Sequence, residues 1–297
     1  MAATPPLRLV LCGAAVAVGI VALLALYRDL PGERRDNTIA GQTQRFLGAP
    51  PDPRKLRVIA LGSSLLWAAT PPARSVQSAS MPQFEWMRMT KGGAGLGHLQ
   101  DSLDVIERYR PDVLVLEENV LLPDSGDTVM YPLREEAWHL AKKLFSLLSA
   151  DQLSSPTPVY WERNDQERPF YCSSNWTRLT QAQRQAHALE LQEIYRQAAL
   201  DPALIARLVR LAQSGVRIVL LDIRRSPVME QATALQKQQW HAQLETTLAP
   251  ADNIRYLSSP IYPLQAMYCD GSHLSAAGAR LFAPWLQTQL ESLRKVP

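Results

Sequence analysis

Three stretches of this chain contain a continuous apolar run and read as strands: "LRVIAL" at 56–61, "PDVLVLEEN" at 111–119, which ends in polar residues, and "VRIVLLDI" at 216–223. A strand with one face in water alternates apolar and polar side chains. A continuous apolar run is covered on both faces, the signature of a parallel sheet. The segments between these runs have helical spacing. "LGHLQDSLDVIERY" at 96–109 places Leu96, Leu99, Leu103 and Ile106 on one face, and helices are also expected at 135–149 and 179–200. In "DPALIARLVRLAQSG" Asp201 stands as N-cap, Pro202 at the first helical position and Gly215 just past the end, the usual punctuation of a helix. "QFEWMRM" at 83–89 and "NIRYLSS" at 253–259 read as further strands, and Ser275 caps a closing helix. Strands alternating with amphipathic helices predict an α/β fold, a three-layer α/β/α sandwich around a central parallel sheet.

Ahead of this body lies a segment of another kind. From Leu9 to Leu26 the chain carries no charged residue, and the run is close to the lower limit for crossing a bilayer, about 17–25 residues. A cleavable signal peptide is the rival reading, but the run exits through "ALLALYRDL", with bulky residues where a cleavage site needs small ones. The expected organisation is a short flank at 1–8, a transmembrane anchor at 9–27, a stalk at 28–54 rich in Arg, Asp, Gly, Pro and Gln, and one domain at 55–297. Arg28, Arg34 and Arg35 against Arg8 lean toward a cytoplasmic body by the positive-inside count. The net charge of +3 is dispersed, without a basic run, a zinc pattern or an aromatic RNA motif, so nucleic acid is not an expected partner. There is no metal-ligand cluster, and no cofactor is called for. The glycine-rich loop "TKGGAGLGHL" at 90–99 lacks the Gly-Lys-Ser/Thr ending of a phosphate loop and the spacing and acidic follow-up of a dinucleotide fingerprint. Of three cysteines, Cys12 lies in the apolar segment. Cys172 and Cys269 suit either one disulfide in an oxidising compartment or two separate buried thiols.

Ligands of open parallel sheets bind beyond the carboxyl ends of the strands. The polar residues of this body gather there: Ser63 and Ser64 after the first strand, Glu117, Glu118 and Asn119 after the third, Asp222, Arg224 and Arg225 after the fourth. A serine hydroxyl becomes a nucleophile only beside a base that is itself oriented. Of five histidines, His98, His139, His187 and His241 fall in or at the starts of expected helices and read as surface or edge residues. His273 differs: "YCDGSHLSAAGARLF" places Asp270 three residues before it on a turn. A carboxylate can hold one ring nitrogen there and leave the other free; a plain turn before a helix cap is the alternative. The loop at 90–99 offers backbone N–H groups to a developing oxyanion, or is only a tight connection.

Together these residues resemble the SGNH or GDSL hydrolase superfamily. Its blocks are Gly-Asp-Ser, a glycine loop, Gly-x-Asn-Asp and Asp-x-x-His. Here they correspond to Gly62-Ser63-Ser64, the glycines from Gly92 to Gly97, Glu117-Glu118-Asn119 and Asp270-Gly271-Ser272-His273. The order is kept across residues 55–297. "MYCDGSHLSAAGARLF" is similar to the last block of SGNH domains that act with membrane acyltransferases on cell-surface sugars.

The resemblance implies a flavodoxin-like fold and a Ser64–His273–Asp270 triad. It implies an oxyanion hole from the Ser64 and Gly95 N–H groups and the Asn119 side chain. It also implies a Cys172–Cys269 disulfide pinning the last block, and hence a body outside the cytoplasm. Ser63 stands where Asp is usual, Glu117 where Gly is usual and Val120 where Asp is usual. A charge on Glu117 opposes an oxyanion unless it is paired or turned away. Ser63, Glu117 and Arg224 are candidate substrate contacts, with Arg225 beside them for an anionic sugar. Trp67, Trp86, Trp161 and Trp176 either stack on sugar rings or pack in the core. The expected activity is that of a membrane-anchored, extracytoplasmic serine esterase or O-acetyltransferase on an acylated polysaccharide, with a membrane acyltransferase as partner. A lipid or small-ester hydrolase and a degenerate polysaccharide-binding component are the alternatives.

Overall fold

Five parallel strands pair in the order β2-β1-β3-β4-β5: β1 Leu56–Gly62, β2 Phe84–Thr90, β3 Val113–Glu117, β4 Arg217–Asp222 and β5 Ile254–Ser258. The structure, a computed structural model, describes residues 19, 46–70, 84–90, 95–122, 180–248 and 251–293. The expected anchor at 9–27 apart from Gly19, the helix at 135–149, Trp161, Cys172 and Trp176 lie outside them. Among the described residues no helix is long and apolar enough to cross a membrane.

Successive side chains of a strand point to opposite faces, and here each face has its own core. Ile59, Leu61, Leu114, Leu116, Ile218 and Leu220 point one way. They meet helices α2 (Leu96–Tyr109), α4 (Pro202–Gln213) and α5 (Pro227–Leu248). Helix α3 (Gln181–Gln197) adds Tyr195 to this side. Val58, Ala60, Val113, Val115, Val219 and Leu221 point the other way, against α1 (Ser64–Ala69) and α6 (Ala276–Ser292). The continuous apolar runs are thus covered twice, and the expected three layers are present. Asp201 caps α4 by accepting the Ala203 N–H at 2.9 Å, and Gly215 takes φ +100° beyond its end. Ser275 caps α6.

Helix α5 is an element that the periodicity of the sequence does not announce. Its inward row is Met229, Thr233, Lys237, Trp240, Leu244 and Leu248, so the apolar spacing is broken by a hydroxyl and an ammonium. Trp86 is a core residue of β2 and Trp67 is half-buried on α1.

The chain runs from β1 to β2 on one side, then passes back over β1 to β3 and continues outward to β5. The strand order therefore reverses between β1 and β3, and a crevice opens at their carboxyl ends. Ser63 and Ser64 follow β1, and Glu118 and Asn119 follow β3.

Candidate active site

Strand β1 ends at Gly62 because the next turn passes close over β3. A Cβ on Gly62 would come within 2.5 Å of Leu66 Cβ and 2.7 Å of Glu117 Oε2. Ser63 then caps α1, its Oγ accepting the Leu65 N–H at 3.2 Å, and Ser64 opens the helix half-exposed. On the other side of the crevice, the chain leaves β5 and makes a 3₁₀ turn at Gln265–Met267. A tight loop follows, closed by an antiparallel bridge between Tyr268 and Leu274. The Cys269 N–H donates to the His273 carbonyl at 2.8 Å and the Ser226 N–H to the Gly271 carbonyl at 3.1 Å. Cys269 is disulfide-bonded, with its partner outside the described residues.

That loop brings His273 Nε2 to 2.8 Å from Ser64 Oγ, across 209 residues of sequence. His273 Nδ1 lies 2.8 Å from Asp270 Oδ2. Asp270 Oδ1 accepts the backbone N–H groups of Ser272 and His273, both at 2.7 Å. Burial pushes the Asp270 carboxyl up, but the hydrogen bond and charge of His273 and the two N–H groups outweigh it and hold it below the ordinary carboxylate value. An ionised carboxylate only accepts. The proton of the neutral ring therefore sits on Nδ1, and the Nε2 lone pair faces the serine O–H.

Glu117 is fully buried at the end of β3, and its carboxylate is paired. It accepts the Ser63 N–H at 2.6 Å, the Ser63 hydroxyl at 2.8 Å and the Leu66 N–H at 3.2 Å. It also accepts from Asn119 Nδ2 at 2.8 Å. Ser63 is 7% exposed. Ser63 and Glu117 were candidate substrate contacts; their placement corrects that expectation, since they are engaged with each other and not with solvent. The carboxylate missing at position 63 relative to the resembled block is supplied from the facing strand. Arg224 has its N–H on Ser259 Oγ at 2.9 Å and its guanidinium 3.7 Å from Asp222, with the side chain 38% exposed. Gly95 is a buried residue at the start of α2, beyond the carboxyl end of β2. Direct contact thus joins Ser64, His273 and Asp270. Asn119 connects to the serine turn through Glu117, and Gly95 stands beyond the neighbouring strand.

Behind Asn119 lies a polar cluster that reading the sequence missed. Asn119 Oδ1 accepts from Arg225 Nη2 at 3.0 Å, and Arg225 Nη1 donates to Tyr195 Oη at 3.0 Å. The Tyr195 hydroxyl reaches Glu118 Oε1 at 3.4 Å. Glu118 Oε2 accepts from Tyr256 at 2.6 Å and lies 2.9 Å from His241 Nε2. His241 is therefore a partner of a buried carboxylate rather than a surface residue, and His187, on α3, lies 3.3 Å from Ser272 Oγ. Lys237, 4% exposed, bonds Asp222 at 2.7 Å and Glu230 at 2.9 Å.

Burial pushes Glu118 up, and the Asp222 charge adds to this. Burial also pushes Asp222 up, but the Lys237 ion pair overrides it and holds Asp222 low. Glu118, Asp222 and His241 converge within 4.8 Å. Since the Lys237 ammonium sits on Asp222 and Tyr256 on Glu118, the cluster carries its own cation and donors. The one sequence signal for it is the pair of acidic residues directly after an apolar strand.

No family model and no curated protein matches the sequence. Among solved structures, the chain is similar to a family two carbohydrate esterase from Clostridium thermocellum in complex with cellohexaose, an active site mutant. The identity is 11% and the TM-score 0.39, over 82% of this chain and 65% of that one, so the chain spans just under two thirds of its length. It is similar to a putative lipolytic protein of the G-D-S-L family from Desulfitobacterium hafniense, at 11% identity and TM-score 0.39 over 79% and 99% of the two chains. It is also similar to the periplasmic domain of a lipopolysaccharide acetyltransferase from Salmonella ser. Paratyphi A, at 11% identity and TM-score 0.35 over 80% and 84%. In its sequence blocks, their order, and the serine, histidine and aspartate that they bring into one hydrogen-bonded chain, this protein resembles the SGNH/GDSL hydrolases.

Proposed function

We propose that the protein is a membrane-anchored serine esterase or O-acetyltransferase acting on O-acyl groups of a cell-envelope or exported polysaccharide. The observation that carries this reading is the continuous chain Ser64 Oγ–His273 Nε2 and His273 Nδ1–Asp270 Oδ2, at 2.8 Å each, at the point where the strand order reverses.

In the first step His273 Nε2 takes the Ser64 proton while Oγ attacks the ester carbonyl. Asp270 holds the imidazolium that forms. In this reading the oxyanion is assigned to the Asn119 amide and the N–H groups of Ser64 and Gly95, since fixed donors act without reorganisation. His273 then gives its proton to the leaving alcohol oxygen, and the acyl group stays on Ser64. Water attacking that ester completes hydrolysis; a sugar hydroxyl completes transfer.

The polysaccharide substrate and a membrane acyltransferase partner follow from the likeness of the block ending in His273 to domains that act on cell-surface sugars. The apolar run from Leu9 to Leu26 supports the anchor. The Cys269 disulfide supports an oxidising, extracytoplasmic compartment.

The test is turnover of p-nitrophenyl acetate by the full chain, with labelling by a serine-directed phosphonate. Ser64→Ala is expected to lose both. Turnover that survives in Ser64→Ala, or a label on Ser63, refutes the assignment. A mass gain of one acetyl on an added oligosaccharide distinguishes transfer from hydrolysis.

A further inference from the structure

Asn119 is held between opposite charges. Its carbonyl oxygen faces the Arg225 guanidinium at 3.0 Å, and its nitrogen faces the Glu117 carboxylate at 2.8 Å. A guanidinium only donates and an ionised carboxylate only accepts. If the amide turned over, NH₂ would meet guanidinium and C=O would meet carboxylate, and both contacts would become repulsive. A side-chain amide otherwise rotates between two similar orientations; here one is selected. In that orientation one N–H is given to Glu117. The other makes no bond among the described residues.

Both holders are built in. Glu117 is 0% and Arg225 5% exposed. Arg225 is fixed from behind by the Tyr195 hydroxyl and by its own N–H on Glu230 Oε1 at 2.7 Å, with its guanidinium 5.8 Å from the Tyr195 ring centre. Glu117 does a second thing. The carboxylate that takes the Asn119 N–H also takes the Ser63 N–H, the Ser63 hydroxyl and the Leu66 N–H. The turn that presents Ser64 and the Asn119 amide share one anchor. The glutamate that reads in the sequence as a threat to an oxyanion hole is thus bonded to the donors around it.

We infer that Arg225 and Glu117 are positioning residues: Arg225 selects the donor orientation of the Asn119 amide, and Glu117 ties that amide to the turn bearing Ser64. The inference rests on the proposed acyl transfer at Ser64 and adds to it how its oxyanion donor is aimed. Neither residue touches substrate. Their effect passes through Asn119, so it disappears when Asn119 has no amide to aim.

The experiment is a double-mutant cycle on the full chain with p-nitrophenyl acetate, using the unmodified protein, Arg225→Met, Asn119→Ala and the double variant. Loss of one well-placed oxyanion donor lowers kcat by about 10²–10³. Arg225→Met, which misaims the donor without removing it, is expected to lower kcat by about 10–100-fold with KM within about twofold. It is expected to have almost no further effect in the Asn119→Ala background. A merely structural role lowers activity by the same factor in both backgrounds. That additivity, or an unchanged kcat in Arg225→Met, overturns the inference. Should thermal melts show that Arg225→Met does not fold, Glu117→Gln carries the same cycle: it keeps the shape but sets an NH₂ among donors, and coupling to Asn119 is again the expected result. Failure of the underlying reading looks different, because turnover then persists in Ser64→Ala whatever the cycle shows.

Discussion

At the scale of single residues, the proposed acyl transfer rests on the His273 ring, and Asp270 decides which of its nitrogens is free. The carboxylate takes the Nδ1 proton at 2.8 Å and is itself held by two backbone N–H groups at 2.7 Å. Asp270→Asn keeps this shape but offers Nδ1 an NH₂, which favours the other tautomer and turns an Nε2–H toward Ser64. The expected result is a fall in kcat of about 10⁴-fold with a lowered thermal midpoint, since the paired carboxylate is lost, measured by p-nitrophenyl acetate turnover on a sample that a melt shows to be folded at the assay temperature. Retention of most of the activity would show that Asp270 does not orient the base. The Asp270–His273 pair was legible in the sequence because spacing on one turn limits what the two can do; Ser64 joined them there only through the family resemblance. The pairing of Ser63 with Glu117 was not. It joins residues 54 apart, and nothing at either position announces the other.

At the scale of elements, the strands were legible and α5 was not, for one reason. Burial on both faces forces an uninterrupted apolar run, and β1, β3 and β4 have one. Helix α5 instead buries Lys237 in its inward row, paired with Asp222 at the end of β4 and with Glu230 two turns earlier on the same helix. The pair joins a helix to the strand end that leads into Arg225. Removing one partner of a buried pair leaves the other charge uncompensated. Lys237→Met is expected to destabilise the fold by about 3–5 kcal/mol, read as a lower urea midpoint. A loss below about 1 kcal/mol, the range of exposed pairs, would mean that the cluster is reached by water.

At the scale of the whole molecule, the buried charges set how stability depends on pH. Asp270 and Asp222 are held below the ordinary carboxylate value in the folded state. Their contributions are therefore complete above the unfolded value of about 3.9 and are lost as pH falls through the lower folded values. Glu118 has the opposite sign. Its folded value is raised by burial, so it favours the fold on the acid side, and that help fades as pH rises above the unfolded value of about 4.3. Asp222 and Asp270 act below the range in which Glu118 acts, so unfolding free energy is predicted to fall between about pH 4 and pH 2. Urea titrations across that range check it, and Asp222→Asn is expected to flatten the slope. Stability that stays level to pH 2 would contradict the ionised state of the cluster.

What the sequence by itself determined is what local pattern can encode: an α/β body with parallel strands, the caps of its helices, and the serine and the Asp-x-x-His turn that such a fold presents at its strand ends. These follow from burial periodicity and from the short reach of a turn. What only the tertiary structure decided is where distant groups meet: Ser64 on His273 across 209 residues, Glu117 under the turn bearing Ser64, and Arg225 behind Asn119 across 106. Hydrogen bonds and ion pairs act over about 3 Å, and that proximity comes from packing the layers, not from any neighbour along the chain.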